Sequence, residues 1–105
     1  MKAEVYNNNQ LVGFLSKEDD KYIFKYENEY LLNPQNSSIS LTLPKREEAY
    51  ISDTLFPFFF GLLSEGTNKE IQCKLLKIDE NDDFIRLLKT AKNDTIGAIT
   101  IMEIE

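Results

Sequence analysis

A run of aromatic and aliphatic residues at positions 55–66 constrains this chain more than any other segment. It contains four of the seven phenylalanines in the sequence. Placed on a helix, its apolar residues form two adjacent stripes, because residues three or four positions apart share a face. The stripes are Leu55, Phe58, Phe59 and Leu62, and beside them Phe56, Phe60 and Leu63. A small soluble domain needs one such stripe for its core, so the second lies under more of the same chain or against a partner.

The composition is that of an ordinary globular domain. The 105 residues are 42% hydrophobic and 29% charged, and we expect them to form one domain over residues 1–105. The net charge of −6 and the lack of a clustered basic stripe disfavour nucleic-acid binding. No apolar run follows Met1, and no stretch is long enough to span a membrane, which predicts a cytoplasmic protein.

The residue types exclude several kinds of site. The sequence has no histidine and a single cysteine, Cys73. Cys/His zinc sites, Ser-His-Asp triads, Cys-His dyads and an intramolecular disulfide are therefore impossible. The acidic pairs Asp19-Asp20 and Asp82-Asp83 are better explained by a surface loop and by a helix N-terminus than by acid–base chemistry.

Alternation of apolar and polar residues predicts several strands. They comprise residues 2–6, 11–15, 21–26, 38–43 and 96–104. The first two form a hairpin around an asparagine-rich turn, since asparagine tolerates left-handed backbone. In the fourth, Ile39, Leu41 and Leu43 are predicted to point inward, and residues 45–51 then form a charged connection. The last strand is apolar on both faces, which predicts cover on both faces by helices or by a partner.

Three helices are predicted between the fourth and last strands. They begin at Asp53 or Thr54, at Thr67 and at Asn81. The first has Pro57 in its first turn, and Gly66 ends either this helix or the loop that follows it. The predicted buried faces of the other two are Ile71, Leu75 and Ile78, and then Phe84, Leu87, Leu88 and Ala91. Strands, then helices, then a returning strand indicate an α+β fold with a small, mostly antiparallel sheet and two or three helices.

Five motifs in this order resemble the N-terminal module of HipA-type serine/threonine kinases. They are the hairpin VYNNNQLVGFL, the run SSISLTLP, Leu62-Leu63-Ser64-Glu65-Gly66 after the Phe-rich helix, Asp83-Phe84 with Leu87-Leu88, and Gly97-Ala98-Ile99-Thr100-Ile101. The resemblance covers nearly the whole chain and implies the fold of the HipA N-terminal subdomain. Ser64 stands where the family usually has proline, which implies a less rigid loop after the helix.

The resemblance also carries a functional expectation. In those kinases the module packs against a kinase core, and the phosphate loop, catalytic Asp and metal ligands lie beyond it. The resemblance therefore implies no enzyme, no catalytic or metal residue and no cofactor here. A free-standing copy resembles the HipS antitoxins of three-part HipBST toxin–antitoxin systems. It implies a non-enzymatic antitoxin that binds and inhibits a HipT- or HipA-like kinase, with a HipB-like DNA-binding protein completing the complex.

The sequence leaves the binding surface and the function open. The candidate partner-binding residues are Phe56, Phe60, Leu63, Ser64, Glu65 and Gly66. The alternative is that both apolar stripes belong to the core. For the function, one alternative is the N-terminal docking module of a full-length HipA-like kinase. Another is a small-molecule or nucleic-acid binding module, of which the nucleic-acid form is disfavoured by the negative charge.

Overall fold

The computed structural model describes residues 1–63, 66–79, 81–90 and 99–104. Three strands come first, three consecutive helices come later, and a strand returns at the end, which is an α+β arrangement. Their order is β1 Lys2–Asn7, β2 Gln10–Glu18, β3 Lys21–Tyr26, α1 Asn28–Leu32, β4 Tyr50–Ser52, α2 Pro57–Phe60, α3 Gly66–Leu76, α4 Asp83–Thr90 and β5 Ile99–Glu103. No helix in the described ranges has the length and apolar character required to cross a bilayer.

The five strands form one antiparallel sheet in the order β4-β3-β2-β1-β5. Two tight turns determine the register of its centre. Asn8 and Asn9 close the first hairpin and Asp19 and Asp20 close the second, all with φ between 49° and 71°. Such left-handed backbone favours Asn and Asp among non-glycine residues, so the predicted hairpin is confirmed and Asp19-Asp20 forms a turn.

The core lies between one face of this sheet and the helices α1, α2 and α4. Its largest fully buried side chains are Tyr26, Phe24, Phe59, Phe84, Leu15, Leu43, Leu87, Leu88, Ile101, Val5 and Val12. The other face is partly open, and β5 shows the difference between the two. Ile99 and Ile101 are buried, whereas Met102 and Ile104 are 44% and 40% exposed. Among the described residues, those of β5 on one face are therefore buried and those on the other face are partly exposed.

The prediction of a strand at residues 38–43 is wrong. These residues form a tight turn with a single bridge between Ser40 and Leu43, and Leu41 is fully exposed instead of pointing inward. The Tyr26 phenol accepts from the Ile39 N–H (3.1 Å) and donates to the Leu43 carbonyl. Burial raises the pKa of Tyr26 above its ordinary value of 10.0, which keeps the phenol neutral and able to donate. The sheet gains β4 instead, whose first two residues, Tyr50 and Ile51, lie in the segment predicted to be a charged connection.

The short helices α1 and α2 also differ from what the sequence predicts. Residues 30–32 lie in none of the predicted strands or helices, and they belong to the short helix α1. The Glu27 carboxylate caps it by accepting from the Tyr30 N–H at 3.1 Å. The first predicted helix begins at Pro57 instead of Asp53 or Thr54, and it ends at Phe60, before Gly66. Its N-cap residue, Phe56, makes no side-chain capping bond.

The predicted buried face is confirmed for α4 and is wrong for α3. In α4, Phe84, Leu87 and Leu88 are buried as predicted, while Ala91 lies outside the described residues. The capping side chain is Asp82 instead of Asn81, since its carboxylate accepts from the Ile85 N–H at 3.1 Å. In α3 the predicted buried face is wrong, because Ile71 and Leu75 are 50% and 77% exposed.

Replacing Gly13 with alanine should destabilise the centre of the sheet. The added Cβ would lie 2.4 Å from the carbonyl oxygen of Lys25 on β3, which is backbone and cannot rotate away. We expect the free energy of unfolding in urea to fall by about 1–3 kcal/mol. Gly61→Ala is the control, because its new Cβ would meet atoms only at 3.4 Å and its φ is −65°. Equal losses in the two variants would contradict this account.

Candidate partner-binding site

The candidate site is built on α2, a single helical turn. Pro57 occupies its first position, where a missing N–H leaves no bond unmade. The Phe60 and Gly61 N–H groups donate to the Phe56 and Pro57 carbonyls at 3.0 and 2.9 Å. The next two hydrogen bonds span three residues instead of four. The Leu62 N–H donates to the Phe59 carbonyl, and the Leu63 N–H donates to the Phe60 carbonyl. Such three-residue bonds are typical of a helix that tightens and ends.

Phe59 lies at the centre of an aromatic cluster that fastens α2 to the sheet. It is fully buried, and its ring centroid lies 5.5 Å from that of Phe24 on β3. Phe56 and Phe58 contact it at 6.3 and 5.2 Å, both in edge-on geometry, which is favourable for aromatic pairs. The cluster therefore draws residues from both apolar stripes into the core.

The six candidate residues have different environments. Phe56 and Leu63 are each only 7% exposed and belong to the core, whereas Phe60 is 42% exposed. Gly66 is the first residue of α3, and Ser64 and Glu65 lie outside the described residues. Among the described apolar candidates, Phe60 alone presents a substantial surface to a partner. The second stripe is thus divided between core and surface.

The residues of α2 and its flanks are suited to apolar contact with a partner, and they offer no charged group for catalysis. No side chain between residues 54 and 63 is ionisable. Three described tyrosines far from α2 in sequence have raised pKa values: a hydrogen bond to Glu4 raises the pKa of Tyr6, and burial raises the pKa of Tyr30 as it does for Tyr26. Within the described ranges, no group of His, Cys, Asp or Glu side chains is arranged to hold a metal ion. The described part of the site therefore offers shape and apolar surface to a partner.

Other exposed apolar side chains were not selected from the sequence. Leu41 is 100% exposed and Leu32 is 80% exposed. The sequence predicts that Leu41 points inward, because its neighbours alternate as in a strand. The available signal was the flanking hydroxyls: Ser40 Oγ accepts from the Thr42 N–H at 3.2 Å, a local bond that competes with strand pairing.

The family model described as HipA N-terminal domain matches residues 3–102. This chain belongs to that family. A solved structure, the N-terminal domain of HipA toxin, superposes with a TM-score of 0.74 at 26% identity, covering 99% of this chain and 92% of that one. The similarity is to the N-terminal domain of HipA, and the antiparallel sheet with short helices is the shared fold.

Two relatives differ greatly in size. An uncharacterized protein of Haemophilus influenzae is 33% identical over 101 residues, which is 96% of this chain and 91% of that protein. The putative kinase Y4mE of Sinorhizobium fredii is 30% identical over 79 residues, or 75% of this chain. That match spans only 19% of the putative kinase. The family domain thus occurs in a comparably small protein and as a minor part of a much larger one.

Alanine substitutions at Phe59 and Phe60 should separate core from surface. Phe59→Ala removes a fully buried ring and should lower the free energy of unfolding by about 3–5 kcal/mol. Phe60→Ala removes a ring that is 42% exposed, and we expect a loss below about 1.5 kcal/mol. Urea titration followed by circular dichroism measures both. A Phe60→Ala loss as large as that of Phe59→Ala would mean that Phe60 is a core residue.

Proposed function

We propose that this chain is a non-enzymatic antitoxin of the HipS type, which binds and inhibits a HipT- or HipA-like serine/threonine kinase in the cytoplasm. The observation that carries the proposal is its membership of the HipA N-terminal domain family over residues 3–102. In this proposal residues 1–105 act as a single domain without a cofactor. A HipB-like DNA-binding protein joins the complex through the kinase, without direct contact between this chain and nucleic acid.

The sizes of the two relatives support action on a separate kinase. The domain accounts for 19% of a putative kinase, and a protein from another organism is matched over 91% of its length. A domain that packs against the rest of its own polypeptide uses non-covalent contacts, which a separate chain can also form. The separate chain loses the effective concentration that a covalent link supplies, so its contact surface must bind more tightly.

Phe60 is the proposed centre of that contact surface. Burying the exposed 42% of Phe60 contributes roughly 1 kcal/mol, which is less than the cost of association. The adjoining Ser64, Glu65 and Gly66 are therefore proposed to supply polar contacts, while Phe56 and Leu63 support Phe60 from the core. Two modes of inhibition follow. The segment after α2 enters the active-site cleft and excludes nucleotide or substrate, or docking holds the kinase lobes in an inactive arrangement. We favour the first, because this segment directly follows the exposed ring.

A second candidate function is the N-terminal docking module of a full-length HipA-like kinase. The match to the putative kinase of Sinorhizobium fredii favours it. The reading frame around the gene discriminates between the two functions. A neighbouring kinase gene that lacks this module supports the antitoxin, whereas a frame that continues into a kinase core supports the docking module.

The antitoxin function predicts that the chain co-purifies with the neighbouring kinase and suppresses its autophosphorylation. Phe60→Ala should weaken the complex about 3- to 10-fold, because binding buries the 42% of Phe60 that is exposed in the free chain, and about 0.6–1.3 kcal/mol of apolar burial is lost. Isothermal titration calorimetry and a phosphorylation assay with labelled ATP measure the two effects. Leu32→Ala is the control, since it removes another exposed apolar side chain from a different helix.

A second variant, Ser64→Ala with Glu65→Ala, tests the polar part of the surface. If both variants fold normally and still silence the kinase fully, the proposed surface is wrong. If the unaltered chain neither binds nor inhibits the kinase, the antitoxin function itself is wrong.

A further inference from the structure

α3 receives little support from the described remainder of the chain. Among its described side chains only Cys73 is buried, and Cys73 does not belong to the main core cluster. Ile71, Leu75 and Leu76 are 50%, 77% and 47% exposed. Within the described ranges α3 makes no extensive contact with any other named helix or strand. Its apolar residues therefore contribute little burial to its stability.

An eleven-residue helix without such burial is marginal in water. The end of α3 weakens it further. Lys77 adopts a φ of +57°, and the Ile78 N–H donates to the Cys73 carbonyl at 3.0 Å, which is a left-handed helix stop. Glycine adopts this left-handed conformation without steric cost. Lysine adopts it less readily, because its Cβ is crowded against the backbone.

α4 provides the contrast within the same molecule. It is shorter, with eight residues, yet it buries Phe84, Leu87 and Leu88. It also packs against both α2 and β5. Opening α4 would expose the centre of the core, whereas opening α3 would expose one described side chain that is now buried. The free energies of the two openings must therefore differ widely.

We infer that α3 is an independently opening unit: it unfolds and refolds while the sheet and α4 remain folded. Each opening uncovers the thiol of Cys73, which is 4% exposed in the closed state. This device is a property of the isolated chain and does not depend on the proposed function.

Thiol labelling tests the inference directly, because Cys73 is the only cysteine in the sequence. The full chain is mixed with excess DTNB, a coloured disulfide reagent, in 0 to ~2 M urea, and global stability is measured separately by circular dichroism. We expect labelling at least ~10-fold faster than global unfolding allows, with little dependence on low urea. A labelling rate equal to that of global unfolding, with the same urea dependence, would overturn the inference.

A matched pair of glycine substitutions locates the opening. Leu75→Gly lies at an exposed position of α3 and should accelerate labelling about fourfold, because glycine weakens a helix relative to leucine. Lys89→Gly lies at an exposed position of α4 and should lower global stability without changing the labelling rate at low urea. Equal acceleration by both variants, or none by Leu75→Gly, would show that Cys73 is reached by a different motion.

Discussion

The contact between Phe59 and Phe24 is the interaction on which the helical half of this protein depends. Phe24 belongs to β3, and Phe59 is the buried residue of a helix only four residues long. A helix of one turn has almost no stability of its own, so aromatic packing holds it in place. The orientation of Phe60 follows from this contact, because adjacent residues of a helical turn point in different directions.

The sequence predicted the parts of the fold in which local and global preferences agree. The first hairpin combines alternating strands with asparagine in a left-handed turn, and α4 combines acidic residues near its N-terminus with an apolar face. Residues 38–43 could not be predicted, because their alternation is that of a strand while hydroxyl side chains and the Tyr26 phenol select a turn. That phenol lies far away in sequence, and no local pattern reveals it.

The candidate site was predictable only in part, and the reason is geometric. The two stripes assume one continuous helix from residue 55 to residue 66, whereas α2 ends after Phe60. Once the helix ends, Leu63 turns back into the core instead of continuing the stripe of Phe60. Periodicity predicted a helix in this segment, of which residues 57–60 are helical, but it could not assign the residues to core or surface. α3 shows the converse case: an amphipathic pattern whose apolar face is exposed, with Ile71 and Leu75 outside the core.

The pairing of β1 with β5 determines how this domain can be joined to other polypeptide. Ala3 lies opposite Glu103, so the first and last strands meet at one corner of the sheet. Extra chain attached at either end would leave from this shared corner, and the opposite edge at β4 would be undisturbed. The domain can therefore be connected to another polypeptide through this one corner of its sheet. Such geometry suits both transfer between larger proteins and circular permutation, since neither requires the core to be reopened.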